Sequence, residues 1–109
     1  MLVIEDDPSL RLLCRVNLEL EGFRVREAAD LESARAELDA ERPSLVFLDM
    51  HLGGESSHGL LDEVAESGVP IVVMSGSADP GAYSGRVSEV LGKPFEPSRL
   101  IACARRYVG

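Results

Sequence analysis

Short apolar runs alternate with helical patterns along the whole chain, and that alternation narrows the possible folds more than any other feature. Leu2 to Ile4, Phe23 to Arg26, Leu45 to Leu48, "VPIVVM" and Val87 to Leu91 are strand-sized, and the segments between them carry apolar residues at three- and four-residue spacing. Strands separated by helix-length segments pair in parallel, because a parallel neighbour is reached only through a long crossover, usually a helix. The run "VPIVVM" has apolar residues at successive positions, as expected of an interior strand covered on both faces. The pattern predicts one α/β domain over residues 1–109, a doubly wound sheet of five parallel strands with five helices.

Local signals place the helices. Asp7 is a predicted N-cap followed by Pro8 at the first helical position, with Leu10, Leu13, Val16 or Asn17, and Leu20 on one face up to Gly22. Asp30 caps the second helix, Gly59 begins the third, and Pro97 or Ser98 begins the last. A fourth helix is expected in "ADPGAYSGRVSE", short or irregular, because Gly81 and Gly85 each cost about 1 kcal/mol relative to alanine.

The charge balance excludes several classes of function. With 19 acidic against 11 basic residues the net charge is −8, which opposes nonspecific binding to nucleic acid or to an anionic membrane. The start "MLVIEDD" has no basic lead-in, and no apolar run approaches the roughly 18 residues of a spanning helix, so the expected location is cytoplasmic. Cys14 and Cys103 lie in helical patterns with no neighbouring cysteine or histidine, and read as reduced core thiols. Arg105 and Arg106 are expected at the exposed end of the last helix, complementing its dipole. Ten of the eleven basic residues are arginine, so Lys93 is the one lysine.

Chemistry appears when the residues at the strand ends are read together. The first strand runs into Glu5 and Asp6, the third into Asp49, the fourth into Ser75, and the fifth into Gly92 and Lys93. In a doubly wound sheet of order 2-1-3-4-5 the first, third, fourth and fifth strands lie side by side, so these groups meet at the carboxyl edge. Three close carboxylates repel one another unless a cation sits among them, and hard oxygen donors suit Mg²⁺. The Ser75 hydroxyl and the Lys93 ammonium suit phosphate oxygens.

"VIEDDP", "VFLDMHL", "VVMSG" and "GKPF", in this order at strand ends, resemble the receiver domains of two-component response regulators, over essentially the whole chain. The resemblance implies a flavodoxin-like fold and a phosphorylation switch rather than an enzyme. By it Asp49 is the phosphoacceptor, served by a histidine kinase or a histidine phosphotransfer protein. Asp6 and Asp49 would ligate Mg²⁺ with the backbone carbonyl of His51, and Glu5 would act through water. Ser75 and Lys93 would hold phosphoryl oxygens, and the Lys93–Pro94 bond would be cis. Any effector domain would lie outside the chain, with no direct contact to nucleic acid or membrane.

Two stretches depart from the family's usual pattern. "GGESSHG" is longer than the common loop and has Gly53 where proline is usual, which predicts a soft, flexible loop. Val90 stands where an aromatic switch residue is common, so a change of order over residues 79–90 becomes the expected responsive element. Two other readings stay open at this level: a degenerate receiver that binds a partner without phosphorylation, and a small aspartate-nucleophile phosphatase. The second lacks its general acid, since His51 occupies the position two residues after Asp49. His51 and His58, without a third nitrogen or thiolate beside them, read as loop residues rather than zinc ligands. Charge repulsion further predicts that Asp6→Asn weakens Mg²⁺ binding yet stabilises the metal-free fold.

Overall fold

The computed structural model describes residues 1–76 and 86–108, apart from the Glu55 side chain. In chain order the elements are β1 (Leu2–Ile4), α1 (Pro8–Leu20), β2 (Arg26–Ala28), α2 (Leu31–Ala40) and β3 (Val46–Asp49). There follow β4 (His51–Leu52), β5 (Glu55–Ser56), α3 (His58–Glu66), β6 (Ile71–Ser75), β7 (Glu89–Gly92) and α4 (Pro97–Tyr107). The main sheet is parallel throughout and ordered β2-β1-β3-β6-β7, which is 2-1-3-4-5 when only its own strands are counted. The expected doubly wound topology is therefore present. The predicted fourth helix falls largely on residues 77–85, outside the described residues.

Alternation along each strand divides the core into two layers. Val3, Phe47, Val72 and Met74 face Cys14 and Leu18 of α1 and Leu100, Cys103 and Ala104 of α4. Leu2, Ile4, Val46, Leu48, Ile71 and Val73 face Ala34 of α2 and Leu60, Leu61 and Val64 of α3. All of these side chains are buried, and each large one contributes about 1.5–3 kcal/mol through removal from water. Stiff, continuous packing on both faces fixes the strand ends in space.

The predicted caps are in place. Asp7 accepts from Ser9 N at 2.9 Å, and Asp30 accepts from Ser33 N at 2.7 Å in a reciprocal capping box. Cys14 and Cys103 are free and buried, and burial pushes each thiol up to about 12, so neither is a reactive thiolate near neutral pH. Arg105 and Arg106 sit in the last turn of α4, paired with Glu21 and Glu89. Among the described residues no helix is long and apolar enough to cross a membrane.

Two expectations are corrected. The second strand is Arg26–Ala28 rather than Phe23 to Arg26. Its register is set by β1, whose Leu2 already pairs with Arg26, so residues 23–25 run past the start of their partner and the Arg24 carbonyl accepts from the Met1 amino group instead of from a strand. Phe23 and Val25 pack partly buried against the α1–α4 layer instead. The second correction is the segment after Asp49, which is a β-hairpin and not a loose loop. Gly53 and Gly54, at φ 59° and 85°, form the two-residue turn between β4 and β5, the left-handed pair that a tight hairpin requires. Glycine here permits a tight structure instead of loosening an open one.

Candidate functional site

The carboxyl edge of the sheet gathers the residues singled out at the strand ends. Glu5 follows β1 directly, and its N–H extends the ladder to the Ala28 carbonyl at 3.0 Å. Its side chain is 1% exposed, with Oε2 accepting from Asp7 N at 3.2 Å, while the Arg11 guanidinium bonds its backbone carbonyl at 2.9 Å. Asp6, one position on, is exposed at the rim. Asp49 ends β3 and is buried, and Ser75, the last residue of β6, is buried as well.

Lys93 arrives from the far end of the chain. Its N–H donates to the Ser75 carbonyl at 2.7 Å, prolonging the β6–β7 ladder, and the Lys93–Pro94 bond is cis. Its Nζ lies 2.6 Å from Glu5 Oε1 and 3.3 Å from Asp49 Oδ1. Carboxylate oxygens of Glu5, Asp6 and Asp49 all come within 4.8 Å of one another. Three carboxylates and one ammonium leave a formal charge of −2, which one divalent cation would balance. The strain of gathering these charges is visible in Glu5. Burial, helped by the neighbouring Asp49, pushes it up to about 7 against the opposing pull of Lys93. Burial would lower Lys93, but its bonds to Glu5 and Asp49 outweigh that and hold it raised. Asp6 moves the other way, held below the usual carboxylate range by the Gly53 N–H that it accepts.

The β4–β5 hairpin closes one side of this cluster. Gly53 N donates to Asp6 Oδ2 at 2.9 Å, and His51 N donates to Asp49 Oδ1 at 3.3 Å. Ser57 N donates to the Met50 carbonyl, so His51, opposite Ser56, occupies the non-hydrogen-bonded place in the ladder. The alternation of an antiparallel pair therefore turns the His51 N–H and C=O away from β5, on the side of Asp49. The imidazole of His51 is not needed for that, and the residue is exposed.

The model of the response regulator receiver domain matches residues 1–105. The chain belongs to the response regulator receiver domain family. It is 34% identical to the nitrogen assimilation regulatory protein NtrX of Azorhizobium caulinodans, over 97% of this chain and 25% of that protein. It is 36% identical to the DNA-binding response regulator MtrA of Mycolicibacterium smegmatis, over 96% of this chain and 48% of that one. The crystal structure of the receiver domain of NtrX from Brucella abortus is similar with a TM-score of 0.87 at 33% identity, covering 98% of this chain and 96% of the other. The chain thus spans half or less of the length of these curated relatives.

Two members of this receiver site carry little signal in the sequence. Gly53 reads there as a loosening residue, and only its backbone N–H reaches Asp6. Ser57, fully buried, donates its hydroxyl to the Asp49 carbonyl at 2.8 Å. The one sequence signal for Ser57 is its place just before a helix, which predicts an N-cap, yet its side chain makes no cap bond.

Proposed function

We propose that this receiver domain is a phosphorylation-dependent switch of a two-component phosphorelay, with Asp49 taking a phosphoryl group from a histidine kinase or a histidine phosphotransfer protein. The observation that carries the reading is the convergence on Asp49 of the single lysine and two further carboxylates from other segments of the chain. A carboxylate oxygen of Asp49 attacks phosphorus in line, an acyl phosphate forms, and the P–N bond of the phosphohistidine breaks with its electron pair leaving on the imidazole. Lys93 and the Ser75 hydroxyl supply charge and a hydrogen bond to the equatorial oxygens. Any effector lies outside these residues, and the switch needs no catalytic activity beyond its own phosphorylation and dephosphorylation.

The donor set fits Mg²⁺: hard oxygens only, and a formal charge of −2 that a divalent ion balances. Asp6 and Asp49 would hold it with the His51 carbonyl, and Glu5 would act through a bound water. When bound, Mg²⁺ neutralises phosphoryl oxygens during transfer. The test is intact-mass measurement after incubation with acetyl phosphate and Mg²⁺, on the parent and on Asp49→Asn. One added phosphoryl group is expected in the parent and none in the variant. Incorporation that survives the substitution, or none in the parent together with no beryllofluoride binding, would overturn the proposal.

A further inference from the structure

Ser57 breaks a local rule without a local gain. A serine at the N-cap ordinarily bonds a first-turn N–H, an interaction whose loss costs helices about 1 kcal/mol. In α3 that bond is missing, because the hydroxyl turns back to the Asp49 carbonyl at 2.8 Å. The same residue's N–H donates to the Met50 carbonyl at 3.0 Å, and its own carbonyl opens α3 by accepting from Leu61 N at 2.9 Å. It is fully buried, so none of these bonds is shared with solvent. Asp49 lies one residue beyond the β1–β3 ladder, which ends at the Ile4–Leu48 pair. Asp49 is still paired with Met74 of β6, but on the β1 side its backbone is past its last strand partner, and the Ser57 hydroxyl adds a hold on its carbonyl from the start of α3.

We infer that Ser57 is a positioning residue for the phosphoacceptor. Its hydroxyl fixes the peptide that follows Asp49 and so aims the carboxylate at Lys93 and at the cation cluster. Sites that break a local rule without local compensation are the expected places of function. This inference rests on the proposed role of Asp49, which it deepens: transfer needs the nucleophile aligned on phosphorus, and misplacement by an ångström costs orders of magnitude in rate. Ser57 bonds the main-chain carbonyl of Asp49 and no carboxylate oxygen of the cation cluster, so Mg²⁺ binding should change much less than the rate of transfer.

The test measures the phosphorylation rate with acetyl phosphate across an Mg²⁺ titration for the parent, Ser57→Ala and Val64→Ala. Val64 is a buried apolar residue of the same helix, near its opposite end, so its truncation controls for general destabilisation of α3. Ser57→Ala is expected to lower the limiting rate at saturating Mg²⁺ about tenfold and to leave the half-saturating Mg²⁺ concentration within about twofold, with Val64→Ala close to the parent in both. A limiting rate for Ser57→Ala near the parent's overturns the inference. So does an equal loss in Val64→Ala, or a loss that appears only in the Mg²⁺ dependence. A parent protein that accepts no phosphoryl group overturns the role of Asp49 as well, which separates the two failures.

Discussion

Lys93 and Glu5 stand 88 positions apart in sequence and 2.6 Å apart at their charged atoms. Glu5 is 1% exposed, so its carboxylate has exchanged water for this ammonium and the Asp7 N–H. Removing one partner of a buried pair strands the other, which costs several kcal/mol, whereas removing both can be almost neutral. A double-mutant cycle of Glu5→Gln and Lys93→Met, followed by urea melts in EDTA, should give a coupling energy of about 2 kcal/mol or more. Additive effects would show that the pair does not hold the strand ends together.

The hairpin turn couples backbone conformation to the cation cluster. Among the described residues, chain neighbours aside, no heavy atom lies within 4 Å of a Cβ built on Gly53 or Gly54, so substitution there meets backbone strain rather than crowding. Gly53, at φ 59°, is in the left-handed region that asparagine tolerates, while Gly54 at 85° lies further out. Gly53→Asn is expected to change stability by only a few tenths of a kcal/mol, and Gly54→Val to cost about 1–2 kcal/mol. Since the Gly53 N–H holds Asp6, Gly54→Val should also weaken Mg²⁺ binding although no carboxylate is touched. Unchanged Mg²⁺ affinity would separate the hairpin from the cation cluster.

The sheet was legible because its signal is long and redundant: five apolar runs, each bounded by a helix cap or a turn residue, leave one plausible winding. The strand-end residues Glu5, Asp6, Asp49, Ser75 and Lys93 were legible for the same reason, since topology alone brings them to one edge. The hairpin was not, because β4 and β5 have two residues each, too few for a period-two pattern to register. Two adjacent glycines read as entropy until a partner strand shows that both need positive φ. Ser57 was hidden by its own propensity, since a serine before a helix announces a cap. The slip in β2 has a plainer cause, for pairing begins where β1 begins and the alternation of Phe23 and Val25 carries no such mark.

Glu89, the first residue of β7, gives a pH prediction away from the acid cluster. Its carboxylate accepts from Cys103 Sγ at 3.2 Å, from Tyr107 OH at 3.2 Å and from the Arg106 guanidinium. Burial pulls the group up, but the three donors outweigh it and leave it below the ordinary glutamate value. A depressed folded-state value means the stabilisation is full above the unfolded value, near 4.3, and is lost as pH falls through the folded one. Glu89→Gln should therefore destabilise the domain by about 1 kcal/mol at pH 7, by an amount that shrinks steadily below about pH 4.5. A penalty that stays constant down to about pH 3 would contradict it.

Asp6 tests where repulsion gives way to hydrogen bonding. Like-charge repulsion alone predicts that Asp6→Asn stabilises the metal-free fold. The geometry points the other way, because the carboxylate is exposed, screened by water, and accepts the Gly53 N–H at 2.9 Å. That bond lowers Asp6 below the usual aspartate range, so in the folded state the charged form is favoured and contributes stability above the unfolded value. An asparagine oxygen can still accept from Gly53, but as a neutral and therefore weaker acceptor. Asp6→Asn should weaken Mg²⁺ binding by at least about tenfold, on the scale of losing a charged ligand, while metal-free stability stays level or falls. Urea melts in EDTA and an Mg²⁺ titration read the two effects separately. A metal-free variant more stable than the parent by about 0.5 kcal/mol or more would mean that repulsion among the carboxylates outweighs the Gly53 hydrogen bond at this corner of the site.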